Sequence, residues 1–409
     1  MHRASPSKRR DVLGRYYTSE PVSSLLVHTM GSIISDTVLD LGAGDGALAE
    51  EAARHWGQAK FITVDIDHGA GSGRLARLDN SRFYHYVGDA LDYSLHRKAC
   101  LPEGGAGAAI CTPPYIRPKW RPHFGAILEE ANLSGVLPKL EEASADILFI
   151  AQNLRYLKAG GRLGLIVPDG LISGERYLGF RKALLNQHQV HKVIELPISV
   201  FRNTEAKAHI VVISKGATGN QSTSVARLEL DGSLSPSLNV ESRDRACRLD
   251  YSYLAIRKKA KRSKVNCDAL GDLVEFICRG SHPATGREKN PHPVLHTTDI
   301  TSFKPSAPRA KSIGRAEQKL VRGQLAGPGD IVIARVGRNL HEKLVFIGRG
   351  HYAMTDCLIV IRPKADFADR IFKFLSSELG RRQLASIAHG VGAKFITTAG
   401  LRSLKVPAL

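Results

Sequence analysis

The sequence predicts an α/β fold, an open and mainly parallel sheet of seven strands, followed by a separate α+β unit. Three observations predict it. Short apolar runs recur at 37–41, 60–65, 83–87, 106–110, 162–168, 191–195 and 209–214, with helix-period segments between several of them, the alternation that builds a parallel sheet. The first run passes straight into a glycine-rich turn and a helix at 47–55. Beyond residue 266 the texture changes to short strands and loops, as in a unit built on another plan.

Composition bounds the function. A chain of 409 residues is long enough for two cores. Lys and Arg number 58 against 39 Asp and Glu, a formal charge of +19, in a chain that is 43% hydrophobic. Such an excess predicts a polyanionic partner. Basic residues recur from Lys8 to Lys405, so several positive surfaces are expected rather than one tail. The six cysteines show no paired C-x-x-C spacing, which argues against a zinc ribbon and for reduced thiols. No apolar run approaches membrane-spanning length, and residues 1–10 form a basic tail without an apolar core behind it. The expectation is a soluble cytoplasmic protein, with no metal and no membrane association.

Taken in order, the chain places polar features at successive strand ends. A turn-like Gly14-Arg15-Tyr16-Tyr17-Thr18 leads into a helix whose start is marked by Thr18, Ser19 and Pro21. The strand at 37–41 carries Asp40 and runs into Gly42, Gly44 and Gly46. Glycines there let a ligand approach the backbone, and the helix start beyond them offers unpaired N–H groups. The second strand ends on Asp65, about twenty positions later, where nucleoside-binding sheets place a carboxylate for ribose hydroxyls. The third ends in Gly88-Asp89-Ala90, and the fourth in Cys111-Thr112-Pro113-Pro114-Tyr115. An open parallel sheet gathers its strand ends along one crevice.

The fourth of these ends is the most informative. Two prolines fix their own φ and hold the preceding residue extended. The Thr112 hydroxyl, the Pro113 carbonyl and the Tyr115 ring therefore keep set directions. A planar amino-bearing base can stack on Tyr115 while its amino hydrogens meet Thr112 and Pro113. Further on, a helix at 146–157 is expected to close at Ala159-Gly160-Gly161, and another spans 177–186. Phe201 lies in the loop before the last strand. Residues 216–266, rich in Ser, Thr, Gly and Asn and then cationic over 257–264, read as a linker and basic bridge between domains 11–215 and 267–409. The second domain, with strands near 270–278, 329–335, 344–347 and 357–361 and helices at 367–377 and 380–388, shows no catalytic signature.

Residues 11–215 resemble an S-adenosylmethionine-dependent amino DNA methyltransferase of the adenine-N6 type. The order of motifs is that of the gamma class. Gly14 to Thr18, with Tyr16 and Thr18, matches that family's N-terminal cofactor segment, and Asp40 to Gly46 its glycine loop. Asp65 matches the ribose-binding acid, and Asp89 the acid that contacts the cofactor adenine. Thr112-Pro113-Pro114-Tyr115 matches the catalytic turn, and Phe201 the late aromatic that helps hold a flipped base. The family's turn usually opens with Asn, Asp or Ser, and this chain has Thr112. Residues 270–409 are similar, more loosely, to target-recognition domains of type I specificity subunits, through 329–335, His389-Gly390 and 396–407.

The resemblance implies a Rossmann-like methyltransferase domain, S-adenosyl-L-methionine as cofactor and double-stranded DNA as partner. It implies the modification enzyme of a restriction-modification system, expected to act as a monomer, with any restriction endonuclease encoded separately. Cytosine-C5 chemistry needs a Pro-Cys nucleophile, whereas Cys111 precedes Thr112 and reads as a strand thiol. Cytosine-N4 or RNA-adenine methylation, or an inactive DNA-binding specificity module, remain open as alternatives.

Overall fold

A computed structural model of the chain describes residues 18–33, 37–70, 73–78, 81–101, 104–137, 139–198, 200, 207–216, 222–240, 248–262, 266–300, 311–314, 318–319, 323–390 and 393–408. Tyr16 and Phe201 lie outside the described residues. The chain divides into two compact units, Met1–Tyr251 and Ser252–Leu409. No described helix is long and apolar enough to cross a membrane.

The first unit is built on one sheet. Its strands are β1 (Thr37–Leu41), β2 (Lys60–Asp65), β3 (Phe83–Val87), β4 (Ala106–Cys111), β5 (Leu157–Pro168), β6 (His188–Glu195), β7 (Ala208–Lys215), β8 (Thr223–Arg227) and β9 (Leu238–Val240). They lie in the order β3-β2-β1-β4-β5-β7-β6-β8-β9. From β3 to β5 all neighbours are parallel. β7 runs antiparallel to both β5 and β6. β1 sits between β2 and β4, so the chain leaves β1 toward one edge and returns to its other side at β4. That reversal opens a crevice at the carboxyl ends of β1 and β4.

The helices are α1 (Glu20–Met30), α2 (Ala47–His55), α3 (Leu95–Lys98), α4 (His123–Glu130), α5 (Ala145–Tyr156), α6 (Asp169–Ser173) and α7 (Leu178–Gln187), with α8 (Tyr251–Arg262) crossing the boundary between the units. Val38, Ala108 and Ile110 are wholly buried beneath α1 and α2, in one cluster with Leu26, Met30 and Ala49. Gly164 on β5 lets α1 settle closely, because a Cβ there would come within 2.3 Å of Met30 Sδ.

The seven expected strands are all present, and two expectations are corrected. Ala159-Gly160-Gly161 does not close a helix, for α5 stops at Tyr156 and these residues belong to β5. The β4–β5 register shifts between Ala106 and Ala108, whose partners are Leu157 and Arg162. The intervening residues bulge where a Cβ on Gly161 would stand 2.9 Å from the Lys158 carbonyl oxygen. Among the described residues the sheet also has nine strands, because β8 and β9 come from residues read as linker. The Ser, Thr and Asn content that suggested a loop conceals β-branched positions facing inward. Thr223, Val225 and Ala226 are fully buried, and the Thr223 hydroxyl donates to the Val190 carbonyl at 3.0 Å.

The second unit is α+β. Its main sheet has the order β11-β17-β13-β15, formed by β11 (Val274–Arg279), β13 (Ile331–Ala334), β15 (Leu344–Phe346) and β17 (Leu358–Pro363), antiparallel throughout. Three two-stranded pairs accompany it: β10 (Cys267–Ala269) with β19 (Lys405–Pro407), β12 (Val294–Leu295) with β16 (Ala353–Met354), and β14 (Val336–Gly337) with β18 (Lys394–Phe395). Helices α9 (Ala368–Ser376), α10 (Glu378–Ile387) and α11 (Thr398–Arg402) contribute Ile371, Leu375, Leu384 and Leu401 to its core. The charge divides unequally between the units. Residues 252–409 hold 28 Lys and Arg against 12 Asp and Glu, whereas residues 1–251 hold 30 against 27. The second unit thus carries +16 of the +19.

Candidate active site

The glycine loop after β1 uses its three glycines differently. Gly42, at φ +81°, donates its N–H to the Val64 carbonyl at 2.7 Å, and a Cβ on it would meet the Phe149 ring at 3.1 Å. Gly44, at φ +55°, has nothing within 4 Å of where a Cβ would stand, so its outer side is open. Gly46, at φ +85°, caps α2. A Cβ there would come within 2.5 Å of Leu75, which makes it a packing glycine. Positive φ at all three suits glycine alone without strain.

The loop is fastened to the neighbouring strand by Asp65. One carboxylate oxygen of Asp65 accepts the Gly44 N–H at 2.8 Å, and the other accepts the Asp67 N–H at 2.8 Å. Beneath them Asp40 is buried. Burial, and then the charges of Asp65 and Asp45, push its carboxyl up to about 8, so near neutrality it is protonated. Its Oδ2 has no hydrogen-bond partner. At the end of β3 the Asp89 carboxylate accepts the Leu91 N–H at 2.9 Å and the Arg121 guanidinium at 2.5 Å.

Thr112 follows β4, and its hydroxyl lies 3.1 Å from that of Thr18. Pro113 is buried. The Tyr115 hydroxyl donates to the Ile166 carbonyl of β5 at 3.2 Å, which ties the half-buried ring to the sheet. Cys111 is buried, with its thiol donating to the Leu41 carbonyl at 3.0 Å. Burial, first among several causes, raises that thiol well above its usual range, so the sulfur is an inert strand thiol and not a nucleophile.

These features meet in a cavity of about 220 Å³. Of the residues singled out from sequence, Thr18, Asp40, Gly42, Gly44, Asp65, Asp89, Thr112 and Pro114 line it. Gly46, Pro113 and Tyr115 are not among its lining residues. Sequence reading missed Ile66, Arg121 and Phe149, which also line it. Ile66, directly after Asp65, is 52% exposed. An aliphatic residue directly after a strand-end carboxylate is the sequence signal that would have found it. Arg121 and Phe149 carried no such signal, since only the fold brings α4 and α5 beside the strand ends.

A family model described as N-6 DNA Methylase matches residues 4–233, more than half of the chain. The type I restriction enzyme MpnII methylase subunit of Mycoplasma pneumoniae is 23% identical over 218 residues, which cover 49% of this chain and 40% of that protein. The type II methyltransferase M.PstI of Providencia stuartii is 23% identical over 211 residues, covering 45% and 38%. The chain therefore matches about two-fifths of the length of these relatives. Among solved structures, the type IIG restriction endonuclease BpuSI shares the fold with a TM-score of 0.53 at 12% identity, over 97% of this chain and 59% of that one. Since the matched segment 4–233 contains every residue that lines the cavity, the chain belongs to the N-6 DNA methylase family.

Proposed function

We propose that this protein is a site-specific DNA methyltransferase that moves a methyl group from S-adenosyl-L-methionine to the N6 amino group of adenine, as the modification enzyme of a restriction-modification system. The observation that carries the reading is the shared cavity. The glycine loop and the carboxylates of Asp65 and Asp89 open into the same space as Thr112 and Pro114.

The residues present fit the cofactor. Gly44 leaves room against the backbone. Asp65 and Asp89 keep lone pairs beyond those their present donors use, for ribose hydroxyls and an adenine amino group respectively. Ile66 offers an apolar face to a flat ring. Asp40 places a buried oxygen without a partner at the cavity wall. When bound, S-adenosyl-L-methionine supplies a methyl group already made electrophilic by its sulfonium.

The protein's task is then to aim the acceptor. An adenine amino nitrogen is a poor nucleophile because its lone pair is spread into the ring. The Thr112 oxygen and the Pro113 carbonyl would accept its two hydrogens and turn the lone pair toward the methyl carbon. Orientation of this kind is worth roughly 7 to 11 kcal/mol in the best cases. The amino group is out of reach inside a duplex, so the base is flipped out. Tyr115, fixed at its hydroxyl by Ile166, would act as a rigid stacking platform, with Phe201 as its companion. Stacking of this sort contributes about 1 to 3 kcal/mol per base. The second unit, with its charge of +16, would read the target.

A competition assay tests the substrate class. Purified protein with labelled S-adenosyl-L-methionine is offered duplex DNA, RNA and protein together. Label in the duplex alone supports the reading, and label in RNA or protein alone overturns it.

A further inference from the structure

One edge of the second unit carries both like charges and a partly exposed ring. β14 and β18 pair antiparallel, Val336 opposite Phe395 and Gly337 opposite Lys394. Phe395 is 38% exposed although it stands on a two-residue ribbon. Reciprocal backbone bonds of 2.8 Å to His389 hold it there, and its ring centroid lies 5.6 Å from that of His389. The ring is therefore displayed on a fixed support.

Cations lie on the ribbon and on its flanks. Arg335, directly before β14, donates its Nε to the Asp356 carbonyl at 2.6 Å. Arg279 donates to the same carbonyl at 3.0 Å and to the Asp356 carboxylate at 2.5 Å. Two guanidiniums thus share one acidic residue. Burial and then the Arg279 charge lower the basicity of Arg335, the mark of a cation placed beside another. Arg338, just past β14, is exposed. On the β18 side, burial lowers the pKa of His341, the charges of Lys394 and Arg381 lower it further, and Glu342 opposes them. The acids that face these cations are Asp356, shared by Arg279 and Arg335, and Glu342 beside His341. A merely solvated face has no reason to hold positive charges together, since their repulsion costs stability, and a polyanion relieves it.

We propose that the β14–β18 ribbon is the edge of the second unit that meets duplex DNA. Arg279, Arg335, Arg338 and Lys394 contact backbone phosphates, and Phe395 presses its ring against a sugar or base in a groove. This assignment rests on the DNA-directed function proposed above.

Fluorescence anisotropy of the full chain with a labelled mixed-sequence duplex, over about 50 to 200 mM salt, tests it. The double variant Arg338→Ala, Lys394→Ala should bind more weakly, with the slope of log K against log salt shallower by about 2. Phe395→Ala should weaken binding at least about fivefold and leave the slope unchanged. Arg349→Ala with Lys373→Ala, exposed elsewhere on the same unit, should keep the parent slope. All variants should bind S-adenosyl-L-methionine as the parent does. If the parent binds duplex and the ribbon variants match it in affinity and slope, the ribbon assignment is wrong and the DNA-directed function stands. If the parent binds S-adenosyl-L-methionine but no duplex even at the lowest salt, the function proposed above fails and this assignment with it.

Discussion

The hydroxyls of Thr18 and Thr112, 94 positions apart in sequence, lie 3.1 Å from each other. The segment that leads into α1 therefore touches the turn that follows β4, and one hydroxyl donates to the other. Thr112 departs from the Asn, Asp or Ser expected at this place, but it supplies an oxygen at the reach of Ser, held in a hydrogen bond with Thr18.

Thr112→Ser should therefore retain activity, whereas Thr112→Val, which keeps the shape and loses the oxygen, should lower kcat at least about tenfold, or 1.4 kcal/mol. Cofactor affinity should stay within about twofold for both. Steady-state methyl transfer beside cofactor titration separates the two effects. Equal kcat for Val and Ser would remove Thr112 from the acceptor role.

Gly44 and Gly46 are two residues apart and should fail in different ways. Gly46→Ala meets Leu75 at 2.5 Å in a left-handed conformation, so it should lower the unfolding free energy by more than about 1 kcal/mol. Gly44→Ala meets nothing within 4 Å and extends toward the cavity, so its main cost should fall on cofactor affinity. Denaturant unfolding and calorimetric titration of both variants distinguish these outcomes.

Asp65→Ala removes the acceptor for two backbone N–H groups, those of Gly44 and Asp67. Cofactor affinity should fall at least about tenfold, with stability lower by about 1 to 3 kcal/mol from the unpaired donors. An unchanged cofactor titration would remove Asp65 from the site.

Asp40 sets a pH dependence of stability. Burial pushes its carboxyl up to about 8 in the fold, from the 3.8 ordinary for an aspartate. Between those values the folded state binds the extra proton. Its contribution to stability therefore falls as pH rises through that window and levels off above about 8. Asp40→Asn cannot ionise, so its Tm relative to the parent should climb from about pH 5 to about pH 9. A constant difference across that range would mean that Asp40 does not titrate there.

Much of the first unit was legible in the sequence because strand ends carry their own markers. Asp65 closes an apolar run, Thr112 follows one directly and Asp89 by two positions, Asp40 sits inside the run that leads to the glycines, and periodicity alone placed those runs. What escaped was set by packing between distant segments. Arg121, two residues before α4, reaches the cavity beside Asp89, and no local pattern reports that pairing. Gly46 looked like Gly44 in sequence, yet it caps α2 beneath Leu75 while Gly44 lines the cavity. The anchor of Tyr115 was equally hidden, since the Ile166 carbonyl that its hydroxyl meets lies on a neighbouring strand 51 positions away. β8 and β9 were hidden because Thr and Ser serve strands and loops equally well. The uneven charge became visible only once the boundary near residue 251 divided the counts.

The central claim is that the glycine loop and the proline-stiffened turn serve one transfer reaction. Mass spectrometry of nucleosides from duplex DNA incubated with the protein and methyl-deuterated S-adenosyl-L-methionine tests it most directly. Deuterated N6-methyladenine should appear with the parent protein and fall sharply with Thr112→Val and with Asp65→Ala. No labelled adenine while the cofactor still binds, or label found only in N4-methylcytosine, would contradict the account.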